Sequence, residues 1–296
     1  MEVFVRDIGI GILNGSMGLV DFILNLAGLL LWLNWRTSSF DPLALATPAT
    51  LAGTLRRAGT RRLRRWHFPT LLTGLVVLRA LFYWQIGSAV HWAGTLDFGV
   101  FSLSFRSDRF GMMLLFSVLS FTGFLGIFLL WLVLLSILKR RTPNVDPIQR
   151  AIRHQLGPVD GWPRWVKMFL PLLAGVALWW LLHWPLVHWG ILPPAISTAH
   201  LAEQSLIIGL CCYLPWKLLV AALLVTHLVT AYIYLGNHPL WNYISAMSQT
   251  LLTPLHPLPL RVGRVDFAPV LGLAVLFGLA TLYKWGIDRL YALLPI

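Results

Sequence analysis

Six stretches of this chain, at about residues 8–33, 69–91, 111–138, 166–192, 206–235 and 267–294, are each long and apolar enough to cross a bilayer as a helix. Crossing ~30 Å of hydrocarbon takes roughly 20 apolar residues, and only helices and closed barrels satisfy their own backbone there. Composition agrees. Apolar types make up 57% of the chain and charged types 11%, whereas a water-facing domain is about one quarter charged. The expected fold is an all-α membrane protein with about six transmembrane helices and no soluble catalytic domain. In the long fifth stretch, Pro215 is expected to kink the helix or to leave 198–213 as a short tilted or re-entrant piece. Glu2, Arg6 and Asp7 deny the amino end a basic n-region, so it reads as a retained first span, not a cleaved signal.

The formal charge of +12 is concentrated between the apolar stretches. The first loop holds Arg56, Arg57, Arg61, Arg62, Arg64 and Arg65, the third holds Lys139, Arg140, Arg141, Arg150 and Arg153, and the fifth holds Arg261 and Arg264. The second loop balances Arg106 and Arg109 with Asp97 and Asp108, and the fourth has only Glu203. Basic loops stay cytoplasmic, which places both termini outside, in a bacterial-type inner membrane. Anionic lipid is the expected partner of the arginine-rich first loop, with a docking surface for an acidic partner as the rival reading, and no nucleic acid is expected. Trp32, Trp35, Trp66, Trp92, Trp162, Trp165, Trp189 and Trp241 fall near the ends of spans, as an aromatic belt at head-group level would have them.

Two basic-side segments read as amphipathic helices at the membrane interface. In one, Asp146 caps, Pro147 opens the first turn, Ile148, Ala151, Ile152 and Gln155 follow at helical spacing, and Gly157-Pro158 ends it. In the other, Pro239 opens, Leu240, Ile244, Met247 and Leu251 form a stripe, and Pro254 closes. Span, amphipathic helix, turn and span thus occur twice. MFLPLLAGVAL (168–178) aligns with DFAPVLGLAVL (266–276), with Pro171 opposite Pro269. Both copies start on the same side, so the repeat is tandem and parallel. Three regions follow: a two-span amino-terminal region at 1–110, then repeat units at 111–192 and 193–296.

The second unit, NHPLWNYISAMSQTLLTPLHPLPLRVGRVDFAPVLGLAVL, resembles the YggT (YlmG-like) integral membrane family, whose pattern joins an amphipathic segment to a span through hydrophobic-Asp-hydrophobic-x-Pro. Here that run is Val265, Asp266, Phe267, Ala268 and Pro269. The first unit is similar through Asp146, Pro147, Gly157 and Pro158, with Met168 where the aspartate would stand. The resemblance covers about 111–294 and implies no family-wide reaction. It implies roles in assembling membrane complexes, including haem attachment to a plastid cytochrome complex, and in division and osmotic stress.

Polar groups inside spans are the main lead to function, because each costs several kcal/mol without a partner. Asn14, Asp21 and Asn25 share one face of the first span, and Arg79 lies at similar depth in the second. An Asp21–Arg79 pair with asparagine hydrogen bonds is expected, as a lock between helices, as a route for an ion, or as a partner contact. Lys217 is expected to snorkel, to pair with Glu203, or to stabilise a broken helix. His183 and His188 point to different helix faces, and no histidine pair falls at matched depth, so no haem, other cofactor or metal is expected. Adjacent Cys211 and Cys212 read as small packing residues. No zincin, nucleophile-elbow or phosphate-loop motif occurs, and no enzyme is expected.

The expected function is an accessory subunit or assembly factor, with other membrane protein subunits as partners. A channel or transporter-like element for ions under osmotic stress is the alternative, and haem or quinone handling during cytochrome assembly the second.

Overall fold

The computed structural model of the protein describes residues 2–37, 66–90, 92–138, 147–195, 197–233, 238–255, 261–262 and 265–293. Among these, the long helices are α1 (Glu2–Thr37), α2 (His67–Val90), α3 (Phe110–Leu138), α5 (Arg164–His188) and α9 (Ala268–Leu293). The shorter ones are α4 (Pro147–Leu156), α6 (Thr198–Cys211), α7 (Trp216–Tyr232) and α8 (Pro239–Leu252). Strands are few. β1 (Gly94–Asp97) and β2 (Ser102–Phe105) form one two-stranded sheet, and β3 (Arg261–Val262) pairs antiparallel with β4 (Val265–Asp266) in another.

Six helical segments among the described residues are long and apolar enough to span a membrane: Gly18–Thr37, His67–Gly87, Phe110–Leu138, Arg164–His188, Thr198–Tyr232 and Ala268–Leu293. The protein is an all-α, multi-pass membrane protein in architecture. Its surface differs from a soluble domain's. Leu181, Trp184, Leu279, Leu282 and Leu293 are exposed, while Ser117, Ser205 and Ser248 are 1% exposed or less. Apolar exposure of this extent needs lipid around it, and small polar residues between helices let backbones approach closely.

Two compact units are present. The first comprises Met1–Leu96 with Ser104–Leu125, so residues 110–125 of α3 pack with α1 and α2. The second comprises Asp97–Leu103 with Gly126–Ile296.

Within the second unit the repeat is visible element by element. The last part of α3, then α4, the 3-10 turn Gly157–Gly161 and α5 correspond to α7, α8, the 3-10 turn Thr253–Leu255 and α9. Helices α4 and α8 pack on each other, and Ile152, Leu156, Tyr243 and Met247 join Leu132, Val133 and Leu223 in one core. Both amphipathic helices therefore lie at the same end of the unit, as a parallel repeat requires. Their apolar stripes are turned toward α3 and α7, so protein side chains cover much of the surface that the sequence alone would lay on lipid. Pro171 and Pro269 are both buried, Pro171 in the interior of α5 and Pro269 in the first turn of α9.

Candidate functional site

The most developed polar constellation lies in the first unit. Asp21 and Asn25 are one turn apart on α1, Arg79 and Tyr83 one turn apart on α2, and Ser120 lies on α3. That i, i+4 spacing stacks each pair on one helix face. The Arg79 guanidinium donates through Nη2 to Asp21 Oδ1 and through Nη1 to Asn25 Oδ1 at 2.6 Å. Tyr83 donates its hydroxyl to Asp21 Oδ1 at 2.9 Å. On the other oxygen, Asp21 Oδ2 accepts from Ser120 Oγ at 2.9 Å and from Asn25 Nδ2 at 3.1 Å. Asn25 Nδ2 also donates to Ser120 Oγ at 3.0 Å.

Both oxygens of Asp21 are thus doubly bonded, which fills the lone-pair positions that a carboxylate has. The Arg79 side chain is 2% exposed and lies over the Tyr83 and Phe116 rings, which adds a cation–π contribution. Its Nε proton meets no acceptor among the described residues. The expected Asp21–Arg79 pair is present, together with Asn25. Asn14 lies on α1, where only its backbone is described. Tyr83 and Ser120 were not foreseen, since a tyrosine and a serine in apolar runs carry no pattern of their own.

A second polar cluster sits at the head of α5. Lys167, 5% exposed at its side chain, donates through Nζ to Ser136 Oγ and to the Asp160 carbonyl, each at 2.7 Å. Its ammonium lies 3.8 Å from Asp160 Oδ1. Arg153 Nε reaches Asp160 Oδ2 at 3.2 Å from the α4 side. Lys167 reads in the sequence as one more basic loop residue, and only packing reveals that it is buried.

The family-like motif residues are placed as follows. Pro147 opens α4. Gly157, at φ +58°, takes the left-handed conformation that ends α4, a position where a side chain is strained. Pro158 lies in the following 3-10 turn. Asp266 pairs by backbone with Arg261 in β3–β4, directly before α9. Asp146 lies outside the described residues, as do Arg56, Arg57, Arg61, Arg62, Arg64 and Arg65.

The fifth apolar stretch is broken into α6 and α7 by a turn at 212–215, with Pro215 immediately before α7. Two tryptophans pin the break. Trp131 Nε1 donates to the Pro215 carbonyl at 3.0 Å, and Trp216 Nε1 donates to the Leu130 carbonyl at 3.1 Å. On α6, Gly209 approaches α5 so closely that an added Cβ would lie 2.7 Å from the Leu172 carbonyl oxygen, and one on Gly175 would lie 2.7 Å from Gly209 Cα. Cys211 and Cys212 are free thiols, Cys212 packed at this crossing and Cys211 in a cluster with Ile207 and Ile287.

Lys217, in the first turn of α7, takes part in none of the ion pairs among the described residues, and Glu203 is exposed on α6. A cavity of about 120 Å³ is lined by Trp179, His183 and Gln204 among others. The Trp179 and His183 ring nitrogens Nε1 and Nδ1 are buried there without a hydrogen-bond partner among the described residues. Among the described residues no group of three or more His, Cys, Asp or Glu side chains is placed to hold a metal. No protein-family model, curated protein or solved structure matches this chain.

Proposed function

We propose that this protein is a non-catalytic integral membrane subunit, of the YggT-like kind, that serves as an accessory or assembly factor of a larger membrane complex and acts by contact. The observation that carries this reading is the saturation of Asp21. Its four hydrogen-bond donors come from the protein itself, so the lone pairs with which it would coordinate a passing cation are already in use. Intramembrane charge used in this way fixes helices against one another. The inner-membrane location and the outward termini belong to the same reading, on the strength of the basic odd-numbered loops.

Gentle extraction from native membranes followed by native mass spectrometry tests it. Partner proteins at fixed ratio support the reading and name the complex. A bare monomer or homo-oligomer under the mildest extraction counts against it, and leaves transport as the stronger account. The transport reading draws on one observation, a Lys217 with no ion pair among the described residues, beside a broken helix. Haem or quinone handling draws on the small aromatic cavity at Trp179 and His183, and requires an absorbing or extractable chromophore in the pure protein.

A further inference from the structure

A groove of about 820 Å³ runs along α7 and α9 in the second unit. Its walls are apolar, with Leu134, Val220, Leu276 and Leu290 among them, and Lys217 is the one charged residue among the described residues that lines it. The other polar side chains on the wall spend their donors internally. Tyr213 donates its hydroxyl to the Met168 carbonyl at 2.6 Å and Tyr283 donates to the Leu210 carbonyl at 3.0 Å, while the Trp216 indole is held by Leu130. The Lys217 ammonium is left without a counter-charge among the described residues. An unpaired ammonium within a spanning segment is costly, so an anion that meets it there gains strongly.

The depth of that ammonium follows from its neighbours. Gly272 of α9 faces Leu224 of α7, and Tyr283 of α9 bonds to Leu210 of α6. Lys217 therefore lies level with the part of α9 between those residues, about two helical turns below the start of a charged run of Lys284, Asp288 and Arg289. Arg289 sits over the Trp285 ring at 4.9 Å, a pairing suited to head-group level. The flexible lysine stem carries its ammonium toward that level. Below that run, the groove-lining part of α9 from Leu276 to Tyr283 covers about 10 Å of helix axis at 1.5 Å per residue. One leaflet's hydrocarbon is about 15 Å deep, half of the bilayer core.

We propose that this groove is a binding site for one anionic phospholipid of the bilayer, with an acyl chain along α9 and the head-group phosphodiester on Lys217. Charge complementarity chooses the occupant: the walls suit any acyl chain, and the lone ammonium selects an anionic head. The site is independent of the accessory-subunit reading.

The test is native mass spectrometry of the full-length protein released from vesicles of equal phosphatidylglycerol and phosphatidylcholine. One retained phosphatidylglycerol per chain, preferred about tenfold over phosphatidylcholine, is the expected result. Lys217→Met removes that preference and Lys217→Arg keeps it, while Leu276→Trp fills the groove and expels the lipid. Equal retention of both lipids by the wild-type chain overturns the proposal without recourse to any variant. So does an unchanged preference in Lys217→Met, which would move the anionic site to the basic loops. Retention of a single-chain carboxylate in place of the phospholipid also overturns it.

Discussion

Asp21 on α1 and Arg79 on α2 form a closed ion pair in which the guanidinium is 2% exposed and the carboxylate receives further hydrogen bonds from Tyr83, Ser120 and Asn25. Three helical segments of the first unit converge on that one carboxylate. The pair therefore does for this unit what a hydrophobic core does for a soluble one, since lipid gives apolar side chains no reason to prefer protein over bilayer.

Removing one charge is expected to cost more than removing both. Asp21→Asn strands a buried guanidinium, and breaking such a pair costs about 3–5 kcal/mol. The joint replacement Asp21→Leu with Arg79→Met leaves no buried charge and is expected to be the milder change. Unfolding in mixed micelles, followed by helical circular dichroism, compares the three chains. A single variant as stable as wild type would show that the pair holds nothing together.

The α5–α6 crossing depends on two glycines. An added methyl at Gly209 meets backbone that has no rotamer to escape into. Gly209→Ala is expected to destabilise by about 1–3 kcal/mol, the usual cost of overpacking. Gly123→Ala serves as the control, because nothing lies within 4 Å of the position its Cβ would take. Thermal melting in detergent with both variants side by side reads the difference.

At the head of α5, two basic residues share Asp160 on unequal terms. Lys167 is 5% exposed at its side chain and Arg153 is 53% exposed. Lys167→Met is expected to cost about 1–3 kcal/mol, because Ser136 and the Asp160 carbonyl lose a buried donor. Arg153→Ala is expected to cost under about 1 kcal/mol, as exposed ion pairs do. The same micelle titration ranks them, and the reverse order would refute the burial argument.

The reciprocal indole bonds across the helix break give a local prediction. Trp131→Phe removes one of two donors at the Pro215 carbonyl and Trp216→Phe removes the indole donor at that of Leu130, each at about 1 kcal/mol. Hydrogen exchange at 212–218 is expected to rise in both variants, with little change in α5.

Much of this was readable from the sequence because membrane rules act on runs and not on single contacts. The six apolar stretches, the break at Pro215, the opening of α4 at Pro147 and its stop at Gly157 each rest on local chemistry. The Asp21–Arg79 pair was legible for a related reason: charges that deep have few places to go. What stayed hidden depends on which helix faces which. Tyr83 and Ser120 join the carboxylate only through packing, and Lys167 is buried only because α3 and the turn at Asp160 close over it. The turning of the amphipathic stripes of α4 and α8 into a shared core is of the same kind, since a stripe shows that a helix has an apolar face without saying what covers it.

Ion flux across liposomes that hold the purified protein separates a lock from a pathway most directly. With Asp21 saturated, wild-type vesicles are expected to pass protons and potassium no faster than protein-free vesicles, and Asp21→Asn is expected to change stability without creating or removing a selective flux. A saturable flux in the wild-type chain that Asp21→Asn abolishes would contradict the contact-acting subunit and make the carboxylate part of a route.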